Sequence, residues 1–155
     1  MASSDRTNDG DLGEVIDILL VEPNHGDVRL FEESFKEGKI VNAIHTVSDG
    51  EAALDFVHQC GDYDDAPAPD LILLEPQLPG TTGMEVLSEL NDEPALNEIP
   101  VAVLTSSELG ADIVKSHGLE AEAYIRKPVE ADEFVEFVHS IEEFWFAIVK
   151  DEPDD

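Results

Sequence analysis

Residues 70–80 read DLILLEPQLPG. Four apolar residues, Leu71 to Leu74, run without interruption into Glu75, Pro76 and a Pro79-Gly80 turn. A short continuous apolar run bounded by turn signals is the mark of a strand covered on both faces. Such a strand belongs to a sheet with helices on either side, and its end is where a carboxylate can reach water.

Working outward, the same kind of segment recurs. VIDILLV (15–21), NAIHTV (42–47), PVAVLT (100–105) and EAYIRK (122–127) also read as strands. Helical patterns lie between them. GDVRLFEESFKEG (26–38) ends on a glycine stop, and DGEAALDFVHQCG (49–61) opens on an N-cap aspartate and closes on Gly61. GMEVLSELND (83–92) is followed by Pro94, SSELGADIVKSHG (106–118) is weakened by Gly110, and VEADEFVEFVHSIEEFWFAIVK (129–150) comes last. Strict alternation of strand and helix predicts an α/β fold, a doubly wound parallel sheet. DDAPAPD (64–70) reads as a Pro-rich loop, and there is no internal repeat.

Composition narrows the class. A chain of 155 residues reads as one domain over 14–150, flanked by a disordered acidic tail (1–13) and an acidic end (151–155). The single cysteine, Cys60, cannot form an internal disulfide. No segment approaches the roughly 20 apolar residues of a membrane span, and the polar start MASSDRTNDGDLG is no secretory signal. The chain therefore reads as soluble and cytoplasmic, with no membrane partner. Against 37 acidic residues stand 8 basic ones, a net charge of −29. With no basic patch to displace counterions, nucleic acid is not an expected partner. Repulsion on this scale is screened where the Debye length is about 3 Å, at ~1 M salt. The composition resembles that of halophilic archaeal proteins.

In open parallel sheets, function gathers at the carboxyl ends of the strands. Here the first strand ends at Glu22-Pro23-Asn24, the third at Glu75, the fourth at Thr105-Ser106 and the fifth at Lys127-Pro128. Two acids, a hydroxyl and a lysine thus converge on one edge from four strands.

Together with ILLVEPNHGDVRLFEESF, VSDGEAALDF, PDLILLEPQLPGTTGMEVL, IPVAVLTSS and AEAYIRKPV, these strand ends resemble the receiver domain of two-component response regulators over about residues 15–150. The resemblance implies a flavodoxin-like (βα)5 fold with strand order 2-1-3-4-5. It also implies a site in which an aspartate accepts a phosphoryl group from a histidine kinase with Mg²⁺ bound. On that pattern Glu75 occupies the phosphoacceptor position, Glu22 keeps the first metal-site acid and Pro23 replaces the second. Gln77 offers the backbone carbonyl of the metal site. Thr105, with Ser106 beside it, and Lys127 are the phosphoryl contacts, Tyr124 is the aromatic switch, and Lys127-Pro128 resembles a bond that is usually cis in the family.

Two departures bear on chemistry. Pro23 offers no side-chain oxygen, while Mg²⁺ demands near-octahedral oxygen ligands. Glu75 carries its oxygens further out by about 1.5 Å, one carbon–carbon bond. A misplacement of about 1 Å can cost ~100-fold in rate. Pro76 also stiffens the loop and removes an N–H. Mg²⁺ binding is expected to be weak or lost, and Glu75, extended toward Lys127 and Thr105, is expected to imitate part of a phosphoaspartate. The chain then acts as a pseudo-receiver rather than an enzyme. The rival readings are a dead switch that serves as a constitutive docking scaffold, a receiver that retains phosphotransfer and a flavodoxin-like redox protein. The last lacks its hydroxyl- and glycine-rich phosphate loop after the first strand.

Glu22 and His25 lie three apart in the loop facing Glu75 and could offer ligands to a transition metal. With no further ligand spaced to complete that set, His25 reads as an exposed residue at the start of the first helix. His45, His58, His117 and His139 are scattered and suggest no cluster.

The last helical segment repeats apolar residues at three- and four-residue steps. About 20 helical residues extend ~30 Å, beyond the ~17–20 Å of a typical strand. Phe144, Trp145, Ile148 and Val149 are therefore expected to overhang the sheet and form a dimer surface. This ending resembles stand-alone regulators that partner cyanobacterial phytochromes, which implies a homodimer through the fourth helix, fifth strand and fifth helix. Only DEPDD follows residue 150, so output is expected through contact with a histidine kinase or another signalling protein.

Overall fold

The computed structural model describes residues 15–36, 42–76, 78, 83–105, 123–126 and 130–151, with the backbone alone at 42, 105, 131 and 148–151. Strands β1 (Ile16–Val21), β2 (Asn42–Val47), β3 (Leu71–Leu74), β4 (Val101–Thr105) and β5 (Ala123–Arg126) form one sheet in the order 2-1-3-4-5. Every pairing is parallel. Helices α1 (His25–Lys36), α2 (Gly50–His58) and α3 (Gly83–Asp92) follow the first three strands, and a long C-terminal helix (Phe134–Asp151) closes the fold. The expected flavodoxin-like architecture is present. The predicted helix over 106–118 and both acidic tails, save Asp151, lie outside the described residues.

The unbroken apolar runs have a simple cause. Successive side chains of a strand point to opposite faces. Leu71 and Leu73 join Ile18, Leu20, Ala102 and Leu104 in a core with Phe31 and Phe35 of α1 and Phe134, Phe137, Val138 and Ile141 of the C-terminal helix. Ile72 and Leu74 join Leu19, Val21, Val101 and Val103 in a second core, under Ala53, Phe56 and Val57 of α2 and Val86, Leu87 and Leu90 of α3. Neither face of Ile18–Val21 or Leu71–Leu74 reaches solvent, and neither stretch carries a polar residue; Asp17 lies at the partly exposed start of β1.

Aromatic rings dominate the first core. Phe31 meets Phe134 edge-on at 5.4 Å and Phe137 at 5.3 Å, and the last two meet at 5.4 Å. This cluster joins the first helix to the last on one face of the sheet.

Helix ends match the sequence signals in part. Asp49 caps α2, its carboxylate accepting the Ala52 N–H at 2.8 Å. The helix stops at Gln59, in the left-handed region at φ 52°, two residues before the glycine expected to end it. There the Gln59 and Cys60 N–H groups close onto the Phe56 and Asp55 carbonyls. Gly61 has a positive φ of its own, 61°, and opens the next short turn.

Phe31→Ala should cost about 3–5 kcal/mol, the usual penalty for emptying a buried aromatic site. Guanidinium unfolding monitored by circular dichroism will measure it.

Candidate functional site

The β1–β3 register pairs Val21 with Leu74, and one residue further on the Glu75 N–H still bonds the Val21 carbonyl at 3.0 Å. On the other side, the Glu22 N–H bonds the Val47 carbonyl at 3.0 Å. The ladder thus carries Glu22 and Glu75 to adjacent positions at the carboxyl edge of neighbouring strands. Both are buried, with 2% and 6% of their surface exposed. Among the described residues Glu142 of the C-terminal helix is the one other buried charged side chain. Two carboxylates sunk at one sheet edge are costly to desolvate, and buried acids of this kind cluster at functional sites.

The loop after β1 folds tightly on itself. Glu22 Oε2 accepts the Asn24 N–H at 3.1 Å. Asn24 in turn caps α1, its Oδ1 accepting from the Asp27 N–H and its carbonyl from Val28. Pro23 is half-buried between them and brings no oxygen, while His25 is exposed at the start of α1, as expected. His25 does not join Glu22 in a cluster of three metal-ligating groups among the described residues.

After β3 the chain is pressed against α3. The Gly83 N–H bonds the Pro76 carbonyl at 3.1 Å, and a Cβ on Gly83 would lie 2.4 Å from the Pro76 Cα. Only glycine fits where α3 begins, and that close approach fixes the backbone directly after Glu75.

Thr105 ends β4, its backbone paired with Arg126, and its side chain is outside the described set. Tyr124 sits in β5 opposite Val103 and packs half-buried against the core under α2 and α3. Gln77, Ser106, Lys127 and Pro128 fall outside the described residues, so the predicted Lys127 contact and the cis bond do too. The topology therefore gathers Glu22, Glu75 and Thr105 at one edge, on three adjacent strands. A cavity of about 560 Å³ opens beside Glu22, toward β2 rather than over Glu75, with His25, Arg29, Glu32 and Asp49 among its lining.

Fold and strand-end acids together define a response-regulator receiver, and comparison with known proteins agrees. The family model for the response regulator receiver domain matches residues 18–139. Response regulator Rcp1 of Synechocystis is 39% identical over 132 residues, covering 85% of this chain and 90% of that protein. The probable methanogenesis regulatory protein FilR2 of Methanothrix harundinacea is 33% identical, covering 88% and 89%. Among solved structures, the Mn²⁺-bound form of Rcp1 has a TM-score of 0.76 at 39% identity, covering 84% of this chain and 94% of that one. The phosphorylated cyanobacterial phytochrome response regulator RcpA has a TM-score of 0.79 at 38% identity, covering 87% and 96%. The chain belongs to the receiver-domain family of two-component signalling. Among its described residues no helix is long and apolar enough to cross a membrane.

One grouping corrects the sequence reading. His58 is not isolated: it meets Glu93 at 2.9 Å and Glu89 at 3.7 Å, joining the ends of α2 and α3. No local spacing reveals it, because the partners are 35 residues apart for the closer pair. The hydrogen bond to Glu93 raises the His58 pKa above its ordinary 6.5. The same bond to His58 holds Glu93 below the usual carboxylate range, and Glu89, hydrogen-bonded to Glu93, is raised.

Gly83→Ala should destabilise the fold by about 1–3 kcal/mol through backbone overpacking, measured by chemical unfolding. For His58, a raised folded pKa means stability present in full below about 6.5 and lost as pH rises through the raised value. His58→Gln should therefore lower the unfolding midpoint at about pH 6 and leave it nearly unchanged at about pH 9.

Proposed function

We propose that this chain is an atypical receiver in which Glu75 stands as a fixed charge at the phosphoacceptor position and output passes through protein–protein contact, independently of phosphorylation. The observation that carries the reading is the buried Glu22–Glu75 pair at the ends of β1 and β3, with Pro23 where a second metal-site acid would stand. The Glu22 carboxylate is already engaged by the Asn24 N–H. Two buried carboxylates remain as side-chain donors on these two strands, one of them extended by a methylene. That set suits octahedral Mg²⁺ poorly, which supports a metal site that is weak or lost. Pinning of the backbone after Glu75 by Gly83 further limits adjustment of the loop.

The relatives favour a second reading. One is known in a Mn²⁺-bound form and another in a phosphorylated form. If the pocket here works in the same way, Glu22 and Glu75 would hold the ion and Thr105 and Lys127 would meet the phosphoryl group.

The partners that fit a receiver are a sensor histidine kinase or another signalling protein. A homodimer through the C-terminal helix is part of the same proposal. Phe144 and Trp145 are half-buried against the core beneath, while Phe146 is 47% and Val135 57% exposed. Eleven residues are close to three helical turns, so those two lie on one side of the helix. Ile148 and Val149, placed by sequence on the same surface, have side chains outside the described set. A net charge of −29 supports function in a salt-rich cytoplasm, as in halophilic archaea, where like charges on two copies are screened.

Two experiments test these readings. Beryllofluoride with Mg²⁺, titrated in about 1 M KCl, should leave the amide NMR shifts of Glu75, Thr105 and Tyr124 unmoved, and the double change Pro23→Asp with Glu75→Asp should make them respond. Saturable, Mg²⁺-dependent shifts in the unaltered protein would establish the second reading instead. By analytical ultracentrifugation the dimer fraction should fall between about 1 M and ~10 mM KCl, and Phe146→Asp should lower it at high salt. A dimer fraction indifferent to salt would count against the screening account.

A further inference from the structure

At the edge of the sheet opposite Glu75, where α2 and α3 end, we propose that His58, Glu89 and Glu93 form a binding site for a divalent transition-metal ion of the zinc class that ties the two helices together.

The geometry is that of a three-ligand site. One ligand atom from each side chain lies within 4.8 Å of the others. The imidazole Nε2 is 2.9 Å from Glu93 Oε2 and 3.7 Å from Glu89 Oε2. Ligands about 2.0–2.1 Å from a tetrahedral zinc lie roughly 3.4 Å from one another, so the observed spacings straddle the required one. These are the two distances from the imidazole, and exposure of a third or more in each side chain leaves a fourth position to water.

The donor chemistry selects the metal. Mg²⁺ and Ca²⁺ take all-oxygen ligands, whereas one imidazole nitrogen with two carboxylates suits zinc and its borderline neighbours. Local charge selects a cation. Glu89 and Glu93 stand four residues apart, a like-charge pair, and Asp92 lies between them. All three sit at the carboxyl end of α3, where the helix dipole is negative and the last turn holds no basic residue.

The ligands are carried on ordered backbone. The Leu96 and Asn97 N–H groups both bond the Glu93 carbonyl at 2.9 Å, and the left-handed cap at Gln59 ends α2 directly after His58. Leu90 of α3 and Val57 of α2, neighbours of the ligands, are buried in the same core. An ion here closes a long loop between two helices, and its effect is on stability, since Glu22, Glu75 and Thr105 lie at the other edge.

The proton is the competitor. Below its raised pKa, the His58 imidazolium supplies the positive charge that these carboxylates face. Metal binding needs the neutral ring and displaces that proton. The groups facing the ring are Glu89 of α3 and Glu93 directly after that helix, with Asp92 acting on Glu89. Just past the end of α2, the Cys60 thiol donates to Asp55 at 3.4 Å rather than to the cluster.

The test is a Zn²⁺ titration of the full chain at about pH 8 in ~1 M KCl, which suppresses diffuse binding to surface carboxylates. Calorimetry should give one saturable site, with selective shifts of the His58 ring resonances and a rise in unfolding temperature. His58→Gln and Glu89→Gln, each confirmed as folded by circular dichroism, should each weaken binding by about tenfold or more, and Cys60→Ser should leave it unchanged. Affinity should fall toward about pH 6 as the proton competes. Absence of saturable binding, retention of full affinity in His58→Gln, equal competition by Mg²⁺, or shifts at His25 and Glu22 in place of His58 would each overturn the proposal.

Discussion

The parallel pairing of β1 with β3 is the constraint from which the rest of the molecule follows. Register sets which side chain faces which core, and a slip of one residue would turn every apolar side chain of β3 to the opposite face. With Val21 opposite Leu74, Leu71 and Leu73 enter the aromatic core of α1 and the C-terminal helix, while Ile72 and Leu74 enter the core of α2 and α3. The same register delivers Glu22 and Glu75 to one edge as neighbours. The acids therefore owe their proximity to a ladder that is fixed by apolar packing. Buried carboxylates need hydrogen-bond partners, and the Asn24 N–H is one for Glu22.

That dependence explains what could be read from the sequence. Strands were legible because burial on both faces leaves no polar position in ILLV or LILL, and parallel alternation with helices leaves few topologies. Asp49 was legible as a cap because its partner, the Ala52 N–H, is three residues away. The end of α2 was less so. A left-handed residue is usually glycine, and Gly61 drew the boundary that Gln59 makes. The His58 cluster was not legible at all. It is assembled by the packing of α2 on α3, and no periodicity within either helix announces a ligand on the other.

Charge enters this fold at two different scales. Most of the acid is spread over the surface of an ordinary core, where its cost depends on ionic strength. Glu22 and Glu75 are different: at 2% and 6% exposure they lie where bulk salt screens little. Salt can therefore restore the compact state without altering the local field at the strand ends.

The doubly wound topology also separates the two acidic groupings. Each strand delivers its carboxyl end to one edge, and each following helix runs back and delivers its own carboxyl end to the other. Strand ends present side chains against buried ladders, so the edge with Glu22 and Glu75 favours precise, desolvated contacts. Helix ends present carbonyl dipoles and half-exposed side chains, so the edge with His58, Glu89 and Glu93 favours a cation drawn from solvent. Proton and metal would compete at the second edge, a full strand length away from the first. On the proposal made above, one ion would set the packing of α2 on α3 from the edge remote from Glu22 and Glu75.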